Sequence, residues 1–137
     1  MFTLDPLTGL LTQIQDIPTL PAGYAGPVNT TAQILVHKSG KFVYGSNRGH
    51  NSIVIYSVDQ TTGMLTLVGH QTMGVGAKPR NFNFDPTGTL LLVASQDEGT
   101  VSIFRVDQDK GTLTLAGPAT PAGVNPTFVW VLAIPGM

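Results

Sequence analysis

The chain of 137 residues contains no cysteine, and only 11% of its residues are charged. Without cysteine it can form neither disulfides nor thiolate ligands for a metal. Its formal net charge of −1 offers no general surface to a polyanion, and no basic stretch is interleaved with aromatic residues. We therefore expect no nucleic-acid partner.

Several other signals are missing as well. No segment carries an apolar stripe at helical spacing. The late apolar run at residues 128–134 is too short to span a bilayer as a helix, and the opening MFTLD does not have the form of a secretory signal. Glycine-rich phosphate loops, zinc signatures and nucleophile elbows are absent, and His37 and His70 lack metal-ligand spacing. We expect no membrane partner, no metal or other cofactor, and a cytoplasmic location.

What the chain does contain is a repeat. Residues 57–69, SVDQTTGMLTLVG, return as residues 105–117, RVDQDKGTLTLAG, so that Gly63 and Gly111 stand 48 residues apart. Upstream, HKSGK at 37–41 and DPTGT at 85–89 keep the same offset. A period of this length filled with short β-rich runs is typical of propeller blades, each a four-stranded antiparallel sheet.

Turn residues divide each repeat into four predicted strands. In the second repeat the strands fall at 81–85, 90–95, 100–107 and 113–116, and in the first at 34–37, 41–46, 52–59 and 65–72. DPTG at 85–88 favours a tight turn, because proline fixes φ and glycine accepts a positive φ. We predict an all-β partial propeller with complete blades at 32–73 and 80–117.

Fragments of further blades flank these two. LDPLTGLLT at 4–12 matches the turn and outer strand of a blade, which we place within residues 1–16, and residues 126–134 match a terminal strand. A single domain over 1–137 would then hold about two full blades with a half blade at each end. So short an arc leaves open sheet edges, so we expect either missing blades from a longer chain or self-association.

A functional site is expected on one face of the blades. In an up-and-down sheet, the turn between the second and third strands shares a face with the entry to the first strand. This face gathers three of the seven lysine and arginine residues, Arg48, Lys78 and Arg80, together with His50. A cationic mouth suits an anionic small molecule, because arginine can bind a carboxylate or phosphate with two hydrogen bonds.

The residues on this face also carry a family resemblance. GKFVYGSNRGHNSI at 40–53, followed by PRNF at 79–82 and DPTG at 85–88, resembles the carboxy-terminal part of the lactonase family of seven-bladed propellers. That family includes propeller-type 6-phosphogluconolactonases and carboxymuconate cyclases. The resemblance implies hydrolysis of 6-phosphogluconolactone, in the pentose phosphate pathway, without a metal or nucleotide cofactor.

The resemblance supplies candidate roles. Arg48 and Arg80 would bind phosphate or stabilise the oxyanion, and His50 would activate water, because imidazole titrates near neutral pH. Substrate contacts are expected from four further residues, Gln33, Asn47, Lys78 and Glu98. Gln33 replaces a glutamate that the family usually carries, and an amide cannot act as a general base.

Each role has a structural alternative. The arginines could form ion pairs with Asp97 or Glu98 at the rim, and His50 could be a solvated turn residue. Gln33 could satisfy backbone groups, and Lys78 could be solvated surface. Two function hypotheses therefore remain: a lactonase-type hydrolase, and a non-catalytic propeller module for assembly or small-anion binding.

Overall fold

The computed structural model describes residues 1–133, and within that range the chain forms strands and no helix. This confirms the predicted all-β fold. No helix in this part of the chain is therefore long and apolar enough to cross a membrane. The strands in chain order are β1 (Phe2–Leu4), β2 (Leu11–Gln13), β3 (Thr31–Val36), β4 (Phe42–Asn47), β5 (Ser52–Val58), β6 (Leu65–Thr72), β7 (Pro79–Phe84), β8 (Leu90–Ser95), β9 (Thr100–Val106), β10 (Leu113–Leu115) and β11 (Thr120–Pro121).

Two antiparallel sheets contain most of these strands. The first blade has the order β3-β4-β5-β6, so each strand pairs with its neighbour in sequence. The second blade has the order β7-β8-β9-β10, and β11 also pairs with β9. β10 and β11 together occupy the place that β6 holds in the first blade. The outer strand is interrupted here around Pro118, which has no N–H to donate to the ladder.

The flanking segments differ from each other. β1 and β2 form a two-stranded antiparallel hairpin, in which Asp5 accepts hydrogen bonds from the N–H groups of Leu7 and Thr8. At the other end, residues 126–133 form no strand, although we expected a terminal strand at 126–134; Ile134 lies outside the described residues. Instead, the Val129 N–H donates to Asn81 Oδ1 over 2.9 Å, which holds this segment beside β7 through a side chain rather than a ladder.

The main hydrophobic core lies between the two blades. Alternate residues of β4 and β5 meet alternate residues of the second blade, and the buried members are Phe42, Tyr44, Ile53, Ile55, Phe82, Leu91, Val93, Phe104, Val106 and Leu113. The opposite face of the first blade buries a smaller cluster of Val43, Val54, Tyr56 and Leu65, covered in part by Ile17. That cover is incomplete: Ile34 and Val36 of β3 remain 69% and 61% exposed.

Hydrogen bonds at the tight turns connect the two blades, at the face opposite the predicted site. Tyr44 Oη donates to the Gly111 carbonyl over 2.7 Å, across the blade boundary. His37 Nε2 lies 2.8 Å from the Gly88 carbonyl oxygen, and Lys38 Nζ donates to the Pro86 carbonyl over 3.0 Å. This face is therefore occupied by contacts that fix the blades relative to each other, and it leaves the other face for a site.

Candidate anion-binding site

Both innermost strands contain an irregularity at the same repeat position. The register of β3 against β4 shifts between Thr31 and Ile34, and that of β7 against β8 shifts between Pro79 and Asn81. A β-bulge breaks strict alternation and redirects side chains. In β3 the displaced Gln33 N–H donates to Ser46 Oγ over 3.0 Å rather than to a strand carbonyl.

The redirected residues line a polar cleft between the blades. Its volume is about 330 Å³, and its walls are Thr31, Ala32, Gln33, Arg48, Arg80, Asn81 and Thr127. Gln33 and Arg80 come from the irregular segments of β3 and β7, whereas Arg48 comes from the turn after β4. The structure thus brings together three of the seven predicted site residues. The cleft offers two guanidinium groups and several neutral hydrogen-bonding groups.

Arg48 is held by neutral partners. Its backbone N–H donates to the Thr30 carbonyl over 2.8 Å, and its Nη2 donates to Gln96 Oε1 over 3.2 Å. Its Nε is buried and has no hydrogen-bond partner within residues 1–133. Leaving a buried donor unpaired costs ~1–3 kcal/mol, so this group would gain from an added acceptor.

The arginines have no carboxylate partner in the described part of the chain. The ion pair found there joins Lys78 Nζ to Asp97 Oδ2 at 2.5 Å, and it leaves Arg48 and Arg80 unneutralised. Sequence reasoning considered Asp97 as a rim partner of the arginines, and this alternative is wrong for residues 1–133 because Asp97 binds Lys78 instead. Arg80 is exposed to solvent.

Lys78 and Glu98 do not line the arginine cleft. Lys78 lies beside a neighbouring cleft of about 440 Å³, and its charge is paired with Asp97. Glu98 lies close to the loop after β6. Its Oε1 would be 3.5 Å from a Cβ atom placed on Gly74 of that loop. Arg48 also lines the cleft of about 440 Å³, so Lys78 stays next to one of the two arginines, whereas Glu98 lines neither cleft.

His50 points into a different surface depression. This depression holds about 400 Å³ and shares no lining residue with the arginine cleft. His50 Nδ1 lies 2.7 Å from Ser52 Oγ, and its ring meets Tyr24 and His70 edge to face at centroid distances of 5.1 and 5.5 Å. Burial, and then the positive charge of His70, lower the pKa of His50. His50 therefore does not line the cleft shared by Arg48 and Arg80, because its ring packs against Tyr24 and His70.

The side chain of Asn47 makes structural hydrogen bonds. Its side chain is fully buried, with Nδ2 donating to the Thr19 carbonyl over 2.6 Å and Oδ1 accepting from Asn29 Nδ2 over 2.9 Å. These bonds attach the segment before β3 to the end of β4. The amide is therefore not free for the substrate contact expected from the sequence.

Sequence reasoning did not select three residues that line or support the cleft. Gln96, which holds Arg48, stands at the repeat position of Arg48 itself, 48 residues later. Asn81 stands at the repeat position of Gln33, 48 residues later, and Thr127 stands at that of Arg80, 47 residues later. The signal that could have found them is the offset, because equivalent positions of adjacent blades are neighbours around a propeller axis.

Comparison with known proteins places this geometry in context. A family model described as "Lactonase, 7-bladed beta-propeller" matches residues 1–131. The chain is 50% identical over 68 residues to a 6-phosphogluconolactonase of Formosa agariphila, covering 48% of this chain and 19% of that protein. It is 34% identical over 97 residues to a 6-phosphogluconolactonase of Bacillus subtilis, covering 71% of this chain and 27% of that protein.

Solved structures give the same placement. The chain superposes on a periplasmic gluconolactonase of Pseudomonas aeruginosa with a TM-score of 0.81 and 28% identity, covering 90% of this chain and 34% of that one. A putative 6-phosphogluconolactonase of Bacteroides fragilis gives a TM-score of 0.76 and 31% identity, with 92% and 34% covered. The chain thus spans about a third of these solved structures, and 19% and 27% of the two curated relatives.

Proposed function

Because the chain belongs to the lactonase family of seven-bladed β-propellers, we propose that it forms the anion-binding part of a sugar lactone hydrolase. The proposed substrate is an anionic lactone of the 6-phosphogluconolactone type, which would place the protein in carbohydrate metabolism and the pentose phosphate pathway. Relatives named 6-phosphogluconolactonase support this choice. The observation that carries it is the cleft in which Arg48 and Arg80 meet without a carboxylate partner among residues 1–133.

The two guanidinium groups can do two chemical tasks. A guanidinium can bind a phosphate with paired N–H donors, and it can stabilise the negative charge that develops on the carbonyl oxygen as water attacks the lactone. The second task accelerates the reaction, because the bond is stronger in the transition state than in the ground state. We propose that Arg48, which is partly buried and held by Gln96, and the more exposed Arg80 share these tasks.

Among residues 1–133, the cleft is lined by no group suited to activate the water. Its lining side chains are two threonines, an alanine, a glutamine, an asparagine and two arginines, none of which accepts a proton near neutral pH. Gln33 lines the cleft, but as an amide it can only donate or accept hydrogen bonds. We therefore propose that the general base comes from further propeller blades, either of a longer chain or of a second copy.

The exposed apolar face of β3 supports the need for further blades. Ile34 and Val36 lie on a strand that would be internal in a complete propeller, yet more than half of each side chain is exposed. Burying apolar surface contributes about 25 cal/mol per Å², so this face favours a covering sheet. Light scattering after size exclusion distinguishes the two sources: a discrete small oligomer supports ring closure by copies, and a monomer supports missing blades.

A second candidate function is anion binding without catalysis. The replacement of the family's usual glutamate by Gln33, and the lack of a titrating side chain in the cleft, favour it. A cytoplasmic location stays a prediction, because one structural neighbour is a periplasmic gluconolactonase.

The test compares lactone hydrolysis by the parent chain, Arg80→Gln and Arg105→Gln. Arg105 is an exposed residue of β9 that does not line the cleft, so its variant controls for the loss of a charge. Losing a charge-assisted contact worth ~1.5–3 kcal/mol should lower kcat/KM by roughly 10- to 100-fold in Arg80→Gln. The Arg105→Gln variant should match the parent.

The outcomes separate the candidates. Hydrolysis of 6-phosphogluconolactone that depends on Arg80 and not on Arg105 supports the hydrolase. Where light scattering shows a closed ring of copies, phosphate binding that depends on Arg80, with no hydrolysis above the spontaneous rate, supports the binding module. Equal behaviour of all three proteins contradicts both functions.

A further inference from the structure

The partner of Arg48 is uncharged, although acidic residues stand next to it in sequence. Gln96 Oε1 accepts from Arg48 Nη2 over 3.2 Å, whereas the next residue, Asp97, pairs with Lys78. The Gln96 backbone is itself fixed, since its N–H donates to the Lys78 carbonyl over 3.2 Å. In the turn after β8, the amide of Gln96 therefore contacts Arg48, whereas the carboxylate of Asp97 pairs with Lys78.

This sorting has an electrostatic consequence. A carboxylate beside a guanidinium would form a strong, charge-assisted pair and would compete with any anionic ligand for the same N–H groups. A neutral amide oxygen fixes the orientation of the guanidinium but leaves its net charge in place. The Arg48 Nε agrees with this, because this buried N–H has no acceptor among residues 1–133.

We infer that Gln96 is a positioning residue that holds Arg48 in the cleft while preserving its charge for an oxyanion ligand, a phosphate or a carboxylate. The inference rests on the proposed function, because it assumes that the arginine cleft binds an anion. Gln96 does not line the cleft and acts through Arg48. Both blades therefore form the site, because Arg48 belongs to the first blade and Gln96 to the second.

The first test measures anion affinity, with inorganic phosphate as the probe and calorimetry as the measurement. Gln96→Glu keeps the side-chain shape but neutralises Arg48, and we expect it to weaken phosphate binding by roughly tenfold or more. Gln96→Ala frees Arg48 without neutralising it, and we expect a loss of several-fold only. Gln13→Glu adds the same charge on the exposed strand β2 and should bind like the parent.

The second test needs no ligand. The Nε–H signal of Arg48 in a proton–nitrogen NMR spectrum should be sharp and protected from exchange in the parent, because Nε is buried. In Gln96→Ala it should broaden or exchange faster, while the Arg105 signal should be unchanged. A merely structural role for Gln96 would alter stability without singling out Arg48, so thermal unfolding of each variant is measured alongside.

The outcomes distinguish this inference from the function on which it rests. Weaker binding in the order Gln96→Glu, then Gln96→Ala, with Gln13→Glu unchanged, supports it. Equal phosphate affinity in the parent and Gln96→Glu overturns the inference but leaves the anion cleft standing. A parent that binds no phosphate overturns both. If Gln96→Glu does not fold, the affinity and the Arg48 signal of Gln96→Ala decide.

Discussion

The two blades agree at one face and differ at the other. At the tight-turn face, Asp59 and Asp107 each accept two backbone N–H groups of their own turn. Gln60 and Gln108 each donate to the carbonyl of a glycine in the adjacent turn. These equivalent residues make equivalent bonds. Repetition at this face therefore preserves the structure of the blade.

At the mouth face the same comparison shows divergence. The first blade carries NRGHN at residues 47–51 where the second carries SQDEG at 95–99. In the first blade these residues supply the cleft arginine, and in the second they supply its amide partner and the acid that binds Lys78. The candidate site is therefore formed by positions at which the repeat diverges, and the positions that recur hold the blades together.

We expect the largest effect on the free energy of unfolding at the equivalent glycines of the tight turns. Gly63 and Gly111 have φ values of +74° and +73°, but a Cβ at Gly111 would lie 2.4 Å from Phe42 Cδ1, whereas none is near at Gly63. Gly111→Ala should lose ~2–5 kcal/mol of unfolding free energy, from backbone strain and a displaced ring. Gly63→Ala should lose only about 1–2 kcal/mol. Urea denaturation measures both, and equal losses would contradict the packing described for Gly111.

The next effect concerns the bond across the blade boundary. Burial, and then the charge of Asp107, raise the pKa of Tyr44, so its hydroxyl stays a donor to Gly111. Tyr44→Phe leaves the buried carbonyl unpaired and should cost ~1–3 kcal/mol. Tyr24→Phe removes an exposed hydroxyl contact and should cost about 0.5 kcal/mol, because water replaces it. Thermal unfolding that ranked the two variants equally would refute this role of Tyr44.

A smaller effect concerns His50, at the mouth face of the first blade. The pKa of His50 is lowered in the folded chain, so the unfolded chain binds more protons between the folded value and about 6.5. Stability should therefore decrease as the pH falls below about 6.5 and level off below the folded pKa. Unfolding followed from pH 7.5 to 5 should show a shallower decrease in His50→Gln. An unchanged slope in that variant would assign the decrease to other groups.

The smallest effect concerns the pKa values of the equivalent aspartates in the two tight turns. Backbone N–H donors lower the pKa of both Asp59 and Asp107 below the ordinary value for an aspartate, and both carboxylates are solvent-exposed. Carbon-detected NMR titration should therefore place the pKa of both below the ordinary aspartate value of about 3.9. An aspartate that titrated at its ordinary value would mean that its turn is not formed as described.

The sequence predicted the strands and turns better than the site. Strict recurrence of turn residues such as Asp59 and Gly63 identified the strands, because turn geometry depends on local chemistry. It did not predict how the irregularities in β3 and β7 redirect Gln33 and Arg80, nor that His50 turns toward Tyr24. Such contacts depend on packing between segments distant in sequence, which no local pattern records.

Phosphate titration of the parent chain, followed through the Nε–H signals of its three arginines, tests the central claim most directly. Arg48 and Arg80 line one cleft without a carboxylate partner in the described range, whereas Arg105 lies exposed on β9. We expect saturable shifts at Arg48 and Arg80 with a shared affinity, and none at Arg105. Equal, unsaturable shifts at all three arginines, or no shift at Arg48 and Arg80, would contradict an anion site between the blades.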